Sequence, residues 1–235
     1  MYDIVFLSYH EPNTDAHWKL LKDRFPRAIR VSDVDGVVFA HQAAAELCRT
    51  RYFWVVDADN IVDSHFEFNF RIYPEDHYKN RVTVWRAINN LNNLVYGYGG
   101  IKLLPRRAVL KVATNVTDFT TSISEHFYIR DEVASTTVIN GSPFDAWRSG
   151  FRECVKLSSG LIRGSNSEIN LARVREWQSY ALDLPNREYV LLGATAGAEY
   201  GTDHANDPLA LGMINDWGWL RNKFDRAMEH MNDGS

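Results

Sequence analysis

The run Tyr52-Phe53-Trp54-Val55-Val56 is apolar at every position and empties into Asp57-Ala58-Asp59-Asn60. Consecutive aromatic and β-branched residues bounded by charge fit a strand buried on both faces. Such a strand needs a sheet covered by helices on either side, which confines the chain to α/β architectures more tightly than any other stretch does. Its last polar side chains fall at an open sheet edge, so Asp57 and Asp59 are expected to emerge together on one side. Two hard oxygen ligands there suit a divalent cation bound to phosphates.

The flanks agree with this. Asp3 to Ser8 reads as an apolar strand stopped by Ser8-Tyr9-His10-Glu11-Pro12, since proline cannot continue the ladder. Asn13 or Thr14 can cap a helix to about Phe25, with Trp18, Leu21 and Phe25 on one face and Trp18 read as core. Ala28 to Val31 is a short strand, and Ser32-Asp33-Val34-Asp35-Gly36 has turn chemistry. A helix from about Phe39 to Cys48 presents Ala40, Ala43, Ala44 and Leu47 as a small-residue face. Strand, helix, strand, helix, strand is the pattern of a mostly parallel sheet, whose ligands bind outside the carboxyl ends of the strands.

Further along, Arg81 to Ala87 reads as another strand. The glycine-rich segment Val95 to Pro105 either lets backbone approach a ligand or turns between two strands. It is no dinucleotide fingerprint, because Lys102 stands where the third glycine belongs. Arg106 to Val112 is expected to be helical, and Thr117 to Ile139 carries strand-like pieces. Ser142-Pro143-Phe144-Asp145 opens a capped helix with Phe144, Trp147, Phe151 and Val155 facing a core and Arg148, Arg152 and Lys156 on another face. The last third reads as helices over about Ser167 to Leu182, Tyr189 to Ala198, and after Asp216 with Trp217, Leu220 and Phe224 inward. His204 lies in a polar loop between them and is the strongest histidine ligand candidate.

Composition excludes several classes. No apolar run in the 235 residues reaches the roughly 20 that a membrane span needs. The first residues look like a strand and lack a positively charged leader, so the expected location is the cytoplasm. Cys48 and Cys154 sit in apolar helical patterns and are expected to be reduced core thiols, which makes the matches to the glycosylation pattern at Asn115-Val116-Thr117 and Asn140-Gly141-Ser142 chance ones. A net charge of -4 gives the whole chain no strong field for nucleic acid. Local clusters at Arg106-Arg107, at Arg148, Arg152 and Lys156, and at Arg163, Arg173 and Arg175 read as solvated surface or as a polyanion-facing groove. A helix-loop-helix calcium site is excluded by Ile61 and Val62, and no phosphate-cradling Gly-x-x-x-x-Gly-Lys-Ser/Thr occurs.

The first strand, the segment Gly36-Val37-Val38-Phe39-Ala40-His41-Gln42-Ala43-Ala44 and the strand ending Asp57-Ala58-Asp59 together resemble nucleotide-sugar glycosyltransferases of the GT-A fold, over about the first half of the chain. The resemblance implies a GT-A-like α/β domain: a mostly parallel sheet flanked by helices, with a helical C-terminal extension. It implies one catalytic domain over 1–235, with a nucleotide-sugar-binding half, 1–105, and an acceptor-side helical half, 106–235. It implies Ser8, Tyr9 and Glu11 near the base or ribose, Asp33 near the nucleotide, and Mn2+ or Mg2+ on Asp57 and Asp59 with His204 as a further metal or phosphate contact. The donor is then a nucleotide sugar, UDP-linked. Departure of a nucleoside diphosphate builds negative charge that fixed cations can stabilise, and Arg148, Arg152 and Lys102 are the candidates. Inversion needs a carboxylate to take the acceptor proton, with Asp145 first and Glu153, Asp131 and Glu132 behind it; retention needs none.

The segments Asn140-Gly141-Ser142-Pro143-Phe144-Asp145-Ala146-Trp147-Arg148 and Asn215-Asp216-Trp217-Gly218-Trp219-Leu220 are similar to small phage-encoded glycosyltransferases. Some of these attach sugars to hydroxymethylated pyrimidines in DNA, which implies a double-stranded DNA acceptor. The alternatives are a glycan or small-molecule acceptor, a nucleotidyltransferase, or a nucleotide- or DNA-binding module without chemistry.

Overall fold

The structure, a computed structural model, describes residues 1–96, 99–114, 116, 119–161 and 167–233. Gly97 and Tyr98 of the glycine-rich run, Asn115 and Thr117 of one glycosylation match, and Arg163 of a basic cluster lie outside the described residues. The chain divides into two compact units, Met1–Val138 and Ile139–Ser235. The break expected near residue 105 falls later because Phe127–Thr137 is still a strand of the first unit's sheet.

In the first unit β1 (Asp3–Ser8), α1 (Thr14–Arg24), β2 (Ile29–Ser32), α2 (Val37–Leu47) and β3 (Tyr52–Asp57) alternate as the sequence predicts. They are followed by β4 (Asn60–Val62), β5 (Val82–Asn89), β6 (Val95–Tyr96), β7 (Ile101–Pro105), the single-turn helices α3 (Arg106–Val109) and α4 (Phe119–Ser122), and β8 (Phe127–Thr137). The sheet runs β2-β1-β3-β7-β5-β8-β4, with β6 beside β5. β2, β1 and β3 are parallel, as are β5 and β8, whereas β7 is antiparallel to both β3 and β5. The sheet is therefore mixed: strand-helix alternation produces parallel neighbours only as far as β3.

Period-2 alternation sorts β3 between two cores. Tyr52, Trp54 and Val56 join Ile4, Phe6, Leu21, Phe66, Phe68 and Trp85 on the α1 face. Phe53 and Val55 join Val5, Val38, Ala44, Ala45 and Leu104 on the α2 face. Trp18 packs on Phe6, with ring centroids 5.6 Å apart, so it is a packing residue. The irregular aromatic segment after Asn60 closes the first face, where Trp54 lies 4.6 Å from the Trp85 ring and 5.1 Å from Phe68.

The second unit is helical: α5 (Pro143–Ser158), α6 (Ser167–Ser179), α7 (Arg187–Asp203), α8 (Pro208–Gly212) and α9 (Trp217–Asp233). Phe144, Trp147, Phe151 and Val155 form its core with Leu211, Ile214, Leu220 and Phe224. Gly193, Gly197 and Gly201 recur every fourth residue and lay one face of α7 directly on the α5 backbone. Cys48 and Cys154 are buried free thiols, as the sequence predicts, and burial pushes both pKa values up, that of Cys48 to about 12. No helix among the described residues is long and apolar enough to cross a membrane.

Candidate functional site

The site builds on one edge of the first unit's sheet. Because β1, β2 and β3 are parallel and in register at Ser8↔Ser32 and Leu7↔Asp57, their carboxyl ends open at the same edge. β7 runs the other way, so its entry at Gly99-Gly100 reaches that edge too, and the Asp57 amide donates to the Gly100 carbonyl at 2.9 Å. Asp57, Asp59, Lys102, Ser8, Tyr9, Glu11 and Asp33 all belong to this unit.

Asp57 is half-buried, and both its oxygens accept from the Lys102 ammonium, at 2.7 and 2.6 Å. Lys102 pairs across the ladder with Val55, so alternation turns its side chain to the α2 face, the face of Asp57. The same ammonium donates to the Gly99 carbonyl at 2.8 Å, and Lys102 is only 4% exposed. Gly99 has a φ of +77°, a conformation in which a side chain would be strained.

Asp59 follows in the turn to β4. Its Oδ1 accepts from the Asn60 side-chain Nδ2 at 2.6 Å, and Asn60 Oδ1 accepts from Ser135 and Thr137 hydroxyls at 2.8 and 2.9 Å. Asn60 is thus a buried polar joint between the acidic turn and β8. A Cβ on Gly100 would collide with it, so this glycine serves close approach. His17 donates Nδ1–H to the Ala58 carbonyl at 2.7 Å, fixing the peptide between the two acids from α1. The sequence reading missed His17 and Asn60. Nothing local signals the first, since its partner lies 41 positions away; the second stood in view as a polar residue opening a buried strand.

Around the ends of β1 and β2, Ser8 is buried with its hydroxyl donating to the Val31 carbonyl at 3.5 Å. Glu11 is committed locally: it accepts from the Tyr9 amide at 2.6 Å and from the Thr14 hydroxyl at 3.4 Å. Tyr9 reaches Asp35 at 3.5 Å and lies against His10, while His10 approaches Asp33 at 3.8 Å. His10 and Asp33 both have positive φ, 58° and 61°, and such strain at non-glycine residues gathers at functional sites. An aromatic ring beside exposed carboxylates suits a ring-bearing ligand rich in hydroxyl groups.

His41, on α2, donates Nδ1–H to the Val37 carbonyl at 2.8 Å, and its buried Nε2 has no hydrogen-bond partner among the described residues. Burial, and after it the Lys102 ammonium, push its pKa from the ordinary 6.5 down to about 3. The unfolded chain takes up this proton near pH 6.5, whereas the folded protein refuses it until about 3. The stabilising effect of a neutral His41 is therefore complete above pH 6.5 and is lost as pH falls toward 3, an upper bound of about 4–5 kcal/mol. Urea midpoints between pH 6.5 and 4 are expected to fall less steeply for His41→Gln than for wild type; parallel slopes would refute this.

The remaining expected site residues belong to the second unit. Asp145 is tied to the N-cap of α5: the Ser142 hydroxyl accepts from its backbone amide at 3.1 Å and donates to its carboxylate. Arg148 pairs with Asp145 at 3.5 Å, stacks 4.0 Å from the Trp217 ring centroid, and is 8% exposed. It is not the outward cation its helical spacing predicts, because its planar guanidinium is held by a carboxylate and an indole. Arg152 donates to Asn215 at 3.1 Å, Glu153 lies half-buried on the same helix, and the Lys156 side chain is half-buried too. α7 runs beyond the expected Ala198 to Asp203, which makes His204 its C-cap: Nδ1–H donates to the Tyr200 carbonyl at 2.9 Å, and the ring stacks 4.1 Å from Tyr200.

Two of the other candidates are also engaged, Asp131 with Arg86 at 2.7 Å and Glu132 with the Trp85 indole at 3.1 Å. Arg106 donates to the Ala45 carbonyl at 2.7 Å, whereas Arg107 is exposed. Arg107 lines a recess of about 510 Å3 with Arg51 and Lys111. That recess opens where β3 begins and β7 ends, the opposite edge from the acids.

The expected metal can be tested against these residues. A cation on Asp57 would have to share a carboxylate whose two oxygens already hold an ammonium. Among the described residues no group of three or more His, Cys, Asp or Glu side chains is placed to hold a metal ion. As placed, the residues do not fit Mn2+ or Mg2+ on Asp57.

The molecule is an α/β protein whose polar residues converge at the carboxyl ends of parallel strands, with a helical second unit. No family model matches the sequence. No curated protein matches it either. Among solved structures it is similar to TarS 1-349 of S. aureus, with a TM-score of 0.44 at 8% identity, covering 87% of this chain and 73% of that one. It is similar to the mannosyltransferase PcManGT of Pyrobaculum calidifontis, solved with GDP-Man and Mn2+, with a TM-score of 0.43 at 10% identity, covering 92% and 88%. HddC of Yersinia pseudotuberculosis gives a TM-score of 0.32 at 11% identity, covering 62% and 76%. At these values the likeness is one of overall backbone, and the chemistry rests on the residues themselves.

Proposed function

We propose that the chain is a GT-A-like glycosyltransferase that moves a sugar from a nucleotide sugar, UDP-linked, to an acceptor hydroxyl. The observation that supports this best is the convergence of Tyr9, Asp33, Asp35, Asp57 and Asp59 at the carboxyl ends of β1, β2 and β3, the edge at which open α/β sheets bind nucleotides. In this reading the Tyr9 ring lies on the base, and the exposed Asp33 and Asp35 carboxylates accept from ribose hydroxyls. Asp57 and Asp59 face the diphosphate end, oriented by Lys102, Asn60 and the His17 contact to Ala58. The bond from the anomeric carbon to the diphosphate breaks, a bond to the acceptor oxygen forms, and the nucleoside diphosphate leaves.

An inverting reaction needs a carboxylate to take the acceptor proton; a retaining reaction needs no such base. For the acceptor we propose a 5-hydroxymethylpyrimidine of double-stranded DNA. The test is incubation of the protein with a panel of nucleotide sugars and with hydroxymethylated DNA, a glycan or small alcohols. Released nucleoside diphosphate and the mass of the product are the readouts. Release from one donor with sugar added to one acceptor class is expected, and release from no donor overturns the reading.

A further inference from the structure

We propose that Lys102 is the resident cation of this edge: its ammonium takes the place of a divalent metal on Asp57, and a nucleotide diphosphate is taken up without a metal on that carboxylate. The consequence for nucleotides rests on the function proposed above; the exclusion of metal from Asp57 does not.

A lysine that is 4% exposed is almost never left without a partner, because the desolvated ammonium must recover its hydration energy from acceptors. Lys102 has three N–H donors, and three acceptors meet them: the two Asp57 oxygens at 2.7 and 2.6 Å and the Gly99 carbonyl at 2.8 Å. The arrangement is fixed from several sides. The β3–β7 ladder sets Lys102 opposite Val55, and Gly99, at positive φ, presents its carbonyl to the ammonium. His41 of α2, held neutral, adds no second positive charge.

A divalent ion could reach the Asp57 oxygens only by displacing this ammonium. Lys102 would then remain buried beside the ion with one neutral carbonyl as acceptor, and the like charges would repel in a poorly solvated setting. The resident pair instead leaves Asp57 neutralised and its rotamer locked, a positioning role for Lys102. Lys102→Met removes the charge, retains the apolar volume, and exposes a carboxylate that, beside Asp59, can recruit a metal.

The experiment is Mn2+ titration of the full chain by electron paramagnetic resonance, without nucleotide. The proteins compared are wild type, Lys102→Met and the Lys102→Met/Asp57→Asn double variant, with folding checked by circular dichroism. Lys102→Gln replaces Lys102→Met should the latter not fold. Wild type is expected to bind no more Mn2+ than the double variant, whereas Lys102→Met gains a site. An additional Mn2+ site in wild type overturns the proposal, and so does a Lys102→Met protein that gains none.

A second arm measures UDP by calorimetry in EDTA and in Mn2+. Wild-type Kd is expected to differ by less than about threefold between the two, and Lys102→Met to weaken at least about tenfold in EDTA and recover in Mn2+. Wild-type binding that vanishes in EDTA and returns with Mn2+ overturns the nucleotide consequence. If UDP and other nucleoside diphosphates bind under neither condition while the Mn2+ arm comes out as expected, it is the glycosyltransferase reading that fails and the assignment of Lys102 stands.

Discussion

Asp57→Asn is expected to destabilise the protein by about 2–3 kcal/mol, and Lys102→Met by about 1 kcal/mol or less, although both break the same ion pair. The asymmetry follows from where each charge sits: the Lys102 side chain is 5% exposed and the Asp57 side chain 35%. Losing the carboxylate strands a buried ammonium with carbonyl oxygens alone, and breaking a fully buried pair this way costs about 3–5 kcal/mol. The partial exposure of Asp57 lowers that figure, since water can reach the vacated side. Losing the ammonium leaves a carboxylate that water already touches, and methionine fills the volume of the lysine stem. Urea denaturation at pH 7 of the two single variants decides the matter. Equal losses, or the reverse order, would show that the pair is not arranged as described.

Gly197→Val is expected to lower stability by at least about 3 kcal/mol and to remove cooperative unfolding of the helical unit. A Cβ at 197 would stand 2.7 Å from the Phe151 Cα and 2.8 Å from its carbonyl carbon, both backbone atoms of α5. Backbone cannot rotate away as a side chain can, so the helices must separate and the contact between the Phe151 and Tyr200 rings, 5.6 Å apart across the two helices, must open with them. Gly193 meets the Trp147 backbone in the same way, one turn earlier, and Val there is expected to act alike. Gly212→Ala is the comparison: nothing lies within 4 Å of its Cβ position, and a change within about 0.5 kcal/mol is expected. Thermal or urea unfolding followed by tryptophan fluorescence separates the cases, and a Gly197→Val protein as stable as Gly212→Ala would refute the close packing of α5 on α7.

Much of this architecture was legible in the chain because it is written in short-range pattern. The strand Asp3–Ser8 and the strand ending at Asp57 were readable from apolar runs closed by polar residues. The Ser142–Asp145 cap was readable from a hydroxyl, a proline and an acid within four positions, and the structure has that cap. Arg148 lies beyond what short-range pattern specifies. Helical spacing sets it on another face than the core residues, but Trp217, brought up by α9, covers that face and buries it. The polar pattern after Ala198 reads as a loop around His204; the glycine contacts to α5 extend α7 through Asp203 all the same.

The sequence by itself determined that a doubly buried strand of an α/β pattern ends in two acids, since apolar periodicity and the position of charge are local properties. Only the tertiary structure decided what those acids meet. Lys102 stands 45 positions after Asp57 in a segment that reads equally as a turn or a ligand loop. It becomes the partner of Asp57 because β7 inserts antiparallel beside β3, where pairing is chosen by the packing of both sheet faces rather than by any neighbouring residue.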